Sequence, residues 1–183
     1  NVKIGRRVAI IGAGGIGFDV ATFLAEQGQS LTTDLPSWKA AWGVADPAVA
    51  PGGVTEPVAQ PSVRQIWLLQ RKAEKPGRGL GKTTGWIHRA GLTQAGVHMI
   101  GGVNYEKIDS RGLWITHGEK RENPEVLEVD AVVLCAGQVS DRGLFDQLSV
   151  HGRSVHVIGG ADVAAELDAK RAIDQATRLA LML

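Results

Sequence analysis

Val8-Ala9-Ile10-Ile11-Gly12-Ala13-Gly14-Gly15-Ile16-Gly17 decides the fold of this chain. The apolar run 8–11 is short, β-branched and polar on neither side, the pattern of a strand buried on both faces of a parallel sheet. Glycines follow at once in the order G-x-G-x-x-G. A helical pattern then runs from about Gly15 to Gln27, with Ile16, Val20, Phe23 and Leu24 on one stripe and Gly28 as its C-cap. Strand, glycine turn and helix in that order form the context in which this fingerprint means dinucleotide binding. Gly12 permits the tight turn, Gly14 lets the backbone approach a pyrophosphate, and Gly17 lets helix and strand pack closely. Gly15 completes the loop, whose helix N-terminus presents free N–H groups and about +0.5 charge to the phosphates.

Downstream of Gly28 the pattern breaks. Five of the seven prolines fall between residues 28 and 62, a stretch too long for an ordinary βα connection. It reads as an insertion, partly irregular, with a short helix over 36–42 that packs Trp38 and Trp42 back onto the body. Regular structure resumes at Gln65-Ile66-Trp67-Leu68-Leu69, a second buried strand that ends on Gln70-Arg71-Lys72. An NAD-preferring fold carries an acid here for the ribose 2′-OH. This chain has none before Glu74 and offers two cations, which suit a 2′-phosphate, Arg71 being the better planar partner. The expected coenzyme is therefore NADPH.

The rest of the pattern predicts a helix over 83–94, a short strand over 98–100, and an antiparallel hairpin of 103–108 with 113–116. A charged loop over 119–124 and a buried strand over 131–135 follow. The last unit reads as a strand at Val155–Ile158, then Gly159-Gly160-Ala161-Asp162, then a long helix to about Met182. The fold class is α/β: a Rossmann-like, doubly wound parallel sheet with a small antiparallel crossover hairpin. The domain boundary is placed at 150/151.

Composition removes other classes. The 183 residues are 44% hydrophobic and 21% charged, which is ordinary for a globular chain and excludes wholesale disorder. The 20 basic and 19 acidic side chains give a net charge of +1, so nothing electrostatic favours a nucleic acid or a membrane surface as partner. Glycine is the outlier: 24 residues, about one in eight, against a usual ~7%. Cys135 is the sole cysteine, which excludes an intrachain disulfide and any four-cysteine cluster, and it reads as an inert core thiol in a reducing compartment. The five histidines show no metal-ligand spacing, so no metal site is expected. No apolar run reaches the ~18 residues of a spanning helix. Gly77-Arg78-Gly79-Leu80-Gly81-Lys82-Thr83 fails as a Walker A loop, because the spacing from Gly77 is one residue short and no strand immediately precedes it. Lys82, Trp86 and Arg89 stand at the front of a helix, with Trp86 and Arg89 on one face.

These segments, together with Gly79 to Arg89 and Val155 to Leu181, resemble the bacterial NADPH-dependent 2,4-dienoyl-CoA reductases. That family lies in the trimethylamine-dehydrogenase-like branch of the old yellow enzymes. The stretch Gly81-Lys82-Thr83-Thr84-Gly85-Trp86-Ile87-His88-Arg89 is more specific than the glycine fingerprint. The resemblance implies a longer cytoplasmic protein with an FMN barrel, a 4Fe–4S cluster and an NADPH domain inserted into an FAD domain. Hydride passes from NADPH to FAD, and electrons pass through the cluster to FMN, which reduces the dienoyl-CoA of unsaturated fatty acid β-oxidation. In that picture residues 1–150 are the NADPH domain and 151–183 the last, strand-and-helix piece of the FAD domain, and the partner is the remainder of the flavoprotein.

The resemblance places the pyrophosphate at Gly12, Gly14, Gly15 and Gly17 and the 2′-phosphate at Arg71 and Lys72. It lines the NADPH cleft with Trp86, Ile87, His88 and Arg89, puts the turn at Gly137 beside the nucleotide, and matches Gly160 and Asp162 to a second flavin motif. Ala161 departs from that motif's usual Gly-Asp. One fingerprint leaves no site for the ADP half of FAD, so only a partial FAD site is implied and no catalytic residue is assigned; the piece alone should be inactive. The alternative is a vestigial module that binds ADP or NAD, as in amine-dehydrogenase-like flavoproteins. A stand-alone dehydrogenase would need a base and a substrate pocket, and neither is visible.

Overall fold

The computed structural model describes residues 3–26, 30–152, 154–165 and 169–183. The chain divides into two compact units, Asn1–Ala136 and Gly137–Leu183.

The first unit is built on a parallel sheet with the strand order β3-β2-β1-β7. These are His98–Ile100, Gln65–Leu69, Arg7–Ile11 and Ala131–Leu134. The register pairs Ile11 with Leu69 on one side and with Leu134 on the other. Side chains alternate across the two faces, as strand geometry requires. Val8, Ile10, Ile66 and Leu68 pack into a cluster with Phe18, Ala21 and Leu24, whereas Ala9, Ile11 and Leu69 pack with Val103, Leu113, Ile115 and Leu127. Both faces are buried at β1, which is why the run 8–11 shows no polar alternation; the buried strand expected over 131–135 is corrected, because β7 lies at the sheet edge, half-buried, with Leu134 74% exposed. Each fully buried Val, Ile or Leu contributes ~1.5–3 kcal/mol.

Helices α1 (Gly15–Ala25) and α3 (Gly85–Gln94) cover one face. The buried positions of α1 are Gly17, Phe18, Ala21, Leu24 and Ala25. The expected stripe is thus corrected: Ile16 and Phe23 are 52% and 75% exposed. Small residues, Gly17, Ala21 and Ala25, take the positions where the helix lies close to the sheet, and Phe18 and Leu24 fill the rest of the inner face. The proposed cap at Gly28 lies outside the described residues.

The insertion carries one regular helix, α2 (Leu35–Trp42). Asp34 caps it, accepting from the Ser37 N–H and hydroxyl, and Gly43 ends it in the left-handed conformation at φ 64°. Trp38 and Trp42 meet at 6.4 Å between ring centres.

The other sheet face is covered by a three-stranded antiparallel sheet, β4 (Val103–Asp109), β5 (Gly112–His117) and β6 (Glu122–Leu127). The third strand replaces the charged loop expected over 119–124. Its first four residues are exposed and include Pro124, and an edge strand tolerates both features. Leu127 pairs with Leu113 and supplies the one fully inward side chain.

In the second unit, α4 (Gly143–Ser149) has no counterpart in the sequence pattern. Val155–Ile158 is not a strand: the unit has no strand among its described residues, and a ladder needs a partner. The terminal helix α5 is shorter than expected, spanning Ala169–Ala180.

Candidate dinucleotide-binding site

The C-terminal ends of β1, β2 and β7 converge on Gly12. Its N–H donates to the Leu69 carbonyl at 2.8 Å, and the Cys135 N–H donates to the Ile11 carbonyl at 2.7 Å. Gly12 sits at φ 113°, and a Cβ there would overlap the Cys135 carbonyl. A Cβ on Gly17 would overlap the Gly12 carbonyl oxygen. These two glycines are therefore required by the backbone itself. Gly14 and Gly15 are different: beyond their own chain neighbours and helix backbone, nothing lies within 4 Å of where their Cβ atoms would stand. Gly14 is the N-cap of α1, with no side-chain cap and no acid in the first turn. The helix thus opens with uncapped N–H groups facing space, an arrangement that receives anions.

One strand over, Arg71 and Lys72 follow the end of β2, exposed and without an ion pair among the described residues. The loop behind them is held from inside. The Gln70 carboxamide donates to the Lys72 carbonyl at 3.0 Å and to the Glu74 carbonyl at 2.6 Å. The Gly102 N–H donates to the same Lys72 carbonyl at 2.9 Å. Tyr105 on β4 is half-buried, and burial pushes its phenol up to about 12, with the charge of Arg71 acting in the opposite direction.

The four residues expected at the front of α3 are not brought together. Trp86 and Arg89 line an open hollow with Lys75, Pro76 and Met99. Ile87 and His88 turn to the other side of the helix, into a cavity of about 350 Å³ shared with Trp38 and Trp42 of the insertion. Consecutive helix positions lie ~100° apart, so a continuous motif is divided between two faces. Arg89 is half-buried, and its guanidinium donates to the Gly77 carbonyl at 2.9 Å. It thereby anchors the turns at Pro76–Gly81, which pack on Phe18 of α1.

Gly137, Gly160 and Asp162 belong to the second unit. Gly137 takes a positive φ of 87°, and Gly160 lies in a single 3-10 turn over Gly159–Ala161. The Asp162 carboxylate accepts from Gln175 Nε2 at 3.1 Å and from Arg142 Nη2 at 3.3 Å. Gln175 also accepts the Gly159 N–H at 2.7 Å. Arg142 and Gln175 are residues the sequence pattern did not flag; only the fold brings them to Asp162.

Cys135 is unpaired, and partial burial raises its thiol pKa, so the reactive thiolate is disfavoured. Among the described residues no group of three His, Cys, Asp or Glu side chains could hold a metal ion, and no helix is long and apolar enough to cross a membrane.

A parallel sheet in this strand order, with a glycine loop opening into a helix at its C-terminal edge, defines a Rossmann-like nucleotide-binding domain. Residues 1–159 match the family described as pyridine nucleotide-disulphide oxidoreductase, and the chain belongs to that family. It is thus a domain of an oxidoreductase family that works with flavin and NAD(P)H. Among solved structures it is similar to a 2-naphthoyl-CoA reductase in complex with 2-naphthoyl-CoA, at 18% identity and TM-score 0.65, over 94% of this chain and 20% of that one. It is also similar to histamine dehydrogenase from Rhizobium sp. 4-9, at 15% identity and TM-score 0.59, over 87% and 21%. The 6-hydroxypseudooxynicotine amine oxidase of Pseudomonas geniculata N1 aligns at 17% identity and TM-score 0.60, over 89% and 20%. The chain spans about a fifth of each of these proteins.

Proposed function

We propose that this chain is the NADPH-binding module of a flavoprotein reductase, and that the full protein reduces a 2,4-dienoyl-CoA. The observation that carries the reading is the pair of exposed cations Arg71 and Lys72, unpaired among the described residues, in the loop that follows β2, the strand beside β1 and its open Gly14-Gly15 helix terminus. Gly14 and Gly15 leave room for a pyrophosphate, and the first N–H groups of α1 donate to it. Arg71 offers a planar fork to a 2′-phosphate, and Lys72 adds a second charge. NADPH supplies a hydride, and FAD is its acceptor. This chain binds and orients the donor. The CoA thioester in the name of the 2-naphthoyl-CoA reductase is consistent with an acyl-CoA substrate.

In this reading residues 1–150 form the NADPH domain and 151–183 belong to an FAD domain completed by the rest of the flavoprotein. Gly160 and Asp162 contribute to that partial FAD site. FMN and a 4Fe–4S cluster lie in the remaining part, and the protein works in the cytoplasm.

The test is binding of NADPH and NADH to the full protein, followed by calorimetry. Tight NADPH and weak NADH binding is expected. Arg71→Ala should cost NADPH about 1.5–3 kcal/mol, the scale of a charge-assisted hydrogen bond, and leave NADH nearly unchanged. Equal losses would refute the 2′-phosphate assignment. Negligible binding of both coenzymes by the unaltered protein would favour a vestigial module of the amine-dehydrogenase type.

A further inference from the structure

Gln70 directly follows β2, where a nucleotide-binding strand hands over to the loop that meets the adenosine ribose. Its backbone stays in the sheet region: the N–H donates to Ile100 O at 3.0 Å, and the carbonyl accepts from Val103 N–H at 3.2 Å. Its side chain does not point out toward a ligand. Both N–H groups of the carboxamide turn back onto the loop, one carbonyl each, Lys72 at 3.0 Å and Glu74 at 2.6 Å. The opposite wall of that loop is Gly101-Gly102. A Cβ on Gly101 would stand 2.6 Å from the Glu74 carbonyl oxygen and 3.0 Å from that of Lys72. The loop 71–74 therefore turns its carbonyls inward between a carboxamide and a glycine. Its cationic side chains are left outside, exposed.

We infer that Gln70 is a positioning residue that sets coenzyme preference by holding Arg71 and Lys72 in place from behind; this rests on the NADPH reading above. Two neutral donors are what the loop needs. A carboxylate would meet two carbonyl oxygens with no proton to give. Gln70→Glu should therefore release the loop and also place an acid at the strand end. Gln70→Ala removes only the clamp, because the deleted group lies on the loop and not in the ligand's space. Gly101→Ala disturbs the same loop from the other wall without altering Gln70.

Equilibrium dialysis of NADP⁺ and NAD⁺ against the full protein tests this without recourse to activity. Gln70→Ala and Gly101→Ala should each weaken NADP⁺ by about tenfold, the scale of one well-placed hydrogen bond to a charged group, with NAD⁺ within about twofold. In the Gln70→Ala/Arg71→Ala double variant the NADP⁺ loss should fall short of the product of the single losses, because the clamp acts largely through Arg71. Equal weakening of both coenzymes by Gln70→Ala would make the residue merely structural and overturn the proposal. So would unchanged NADP⁺ binding in Gln70→Ala beside a large loss in Arg71→Ala, which leaves the NADPH reading standing. If Arg71→Ala itself fails to separate the coenzymes, that reading fails, and the role of Gln70 fails with it.

Discussion

Gly17 on α1 lies so close against the carbonyl of Gly12 that a single methyl group on it would occupy the oxygen's position. The helix meets the strand end through backbone contact, with no side chain between them. The opening of α1 is thereby fixed beside the ends of β1 and β2, and its free N–H groups face outward over Gly14 and Gly15.

The glycines of the loop should separate by function. Gly17→Ala must push helix from strand, and overpacking of this kind costs about 1–3 kcal/mol. Gly14→Ala meets nothing beyond its own chain neighbours and should cost about 1 kcal/mol or less. Urea denaturation distinguishes them. Gly14→Val should fold and yet lose dinucleotide binding, because its branches enter the space left for the pyrophosphate. A Gly17→Ala protein as stable as the parent would contradict the close approach.

Tyr105 is the only tyrosine in the chain, so its ionisation can be read directly near 295 nm in a protein holding just this chain's tyrosine. Burial holds the neutral phenol, and the midpoint should lie at about 12, above the ordinary ~10. The folded pKa is the raised one. Its contribution to stability is thus complete below pH ~10 and disappears as pH climbs from there toward about 12. Arg71→Ala should raise the midpoint further, since Arg71 favours the phenolate. A midpoint at the ordinary value would show that the ring is solvated.

Asp109 governs the β4–β5 turn. Its carboxylate accepts the Trp114 indole N–H at 2.8 Å and the Arg111 N–H at 2.9 Å, and it pairs with Lys107 at 3.0 Å. These donors hold the acid well below the usual carboxylate range, the Trp114 bond foremost. The folded pKa is depressed, so the stabilisation is present above the unfolded value of ~3.9 and is lost only as pH falls below it. The Trp114 indole N–H resonance should stay constant from neutral pH down to about 4 and move below that. Asp109→Asn should shift it at neutral pH. Movement centred near pH 6 would mean that another group controls the turn.

Much of the first unit was legible in the sequence because its signals are local. The strand 65–69 is an apolar run buried along most of its length, whereas 98–100 and 131–134 are short sheet-edge strands that are only half-buried, with Leu134 74% exposed. Asp34, Pro36 and Gly43 mark both ends of α2. The β6 strand was hidden because its exposed, charged first half looks like a loop until β5 lies beside it. The inner face of α1 was misread for a related reason: hydrophobicity alone ranks Ile16 and Phe23 above Gly17 and Ala21, whereas close packing selects for small size.

By itself, then, the sequence determined the glycine turn, the buried strand 8–11 and the two cations that follow β2. Each depends on residues within a few positions of one another: no Cβ at Gly12 and Gly17, no polar face on 8–11, no acid at 70–72. Tertiary structure alone decided that Gln70 turns inward onto the loop, that Arg89 anchors Gly77, and that Ile87 and His88 leave Trp86 for the other side of α3. A side chain with several donors can satisfy them in many directions, and which carbonyl it reaches is known only once distant backbone has been brought beside it.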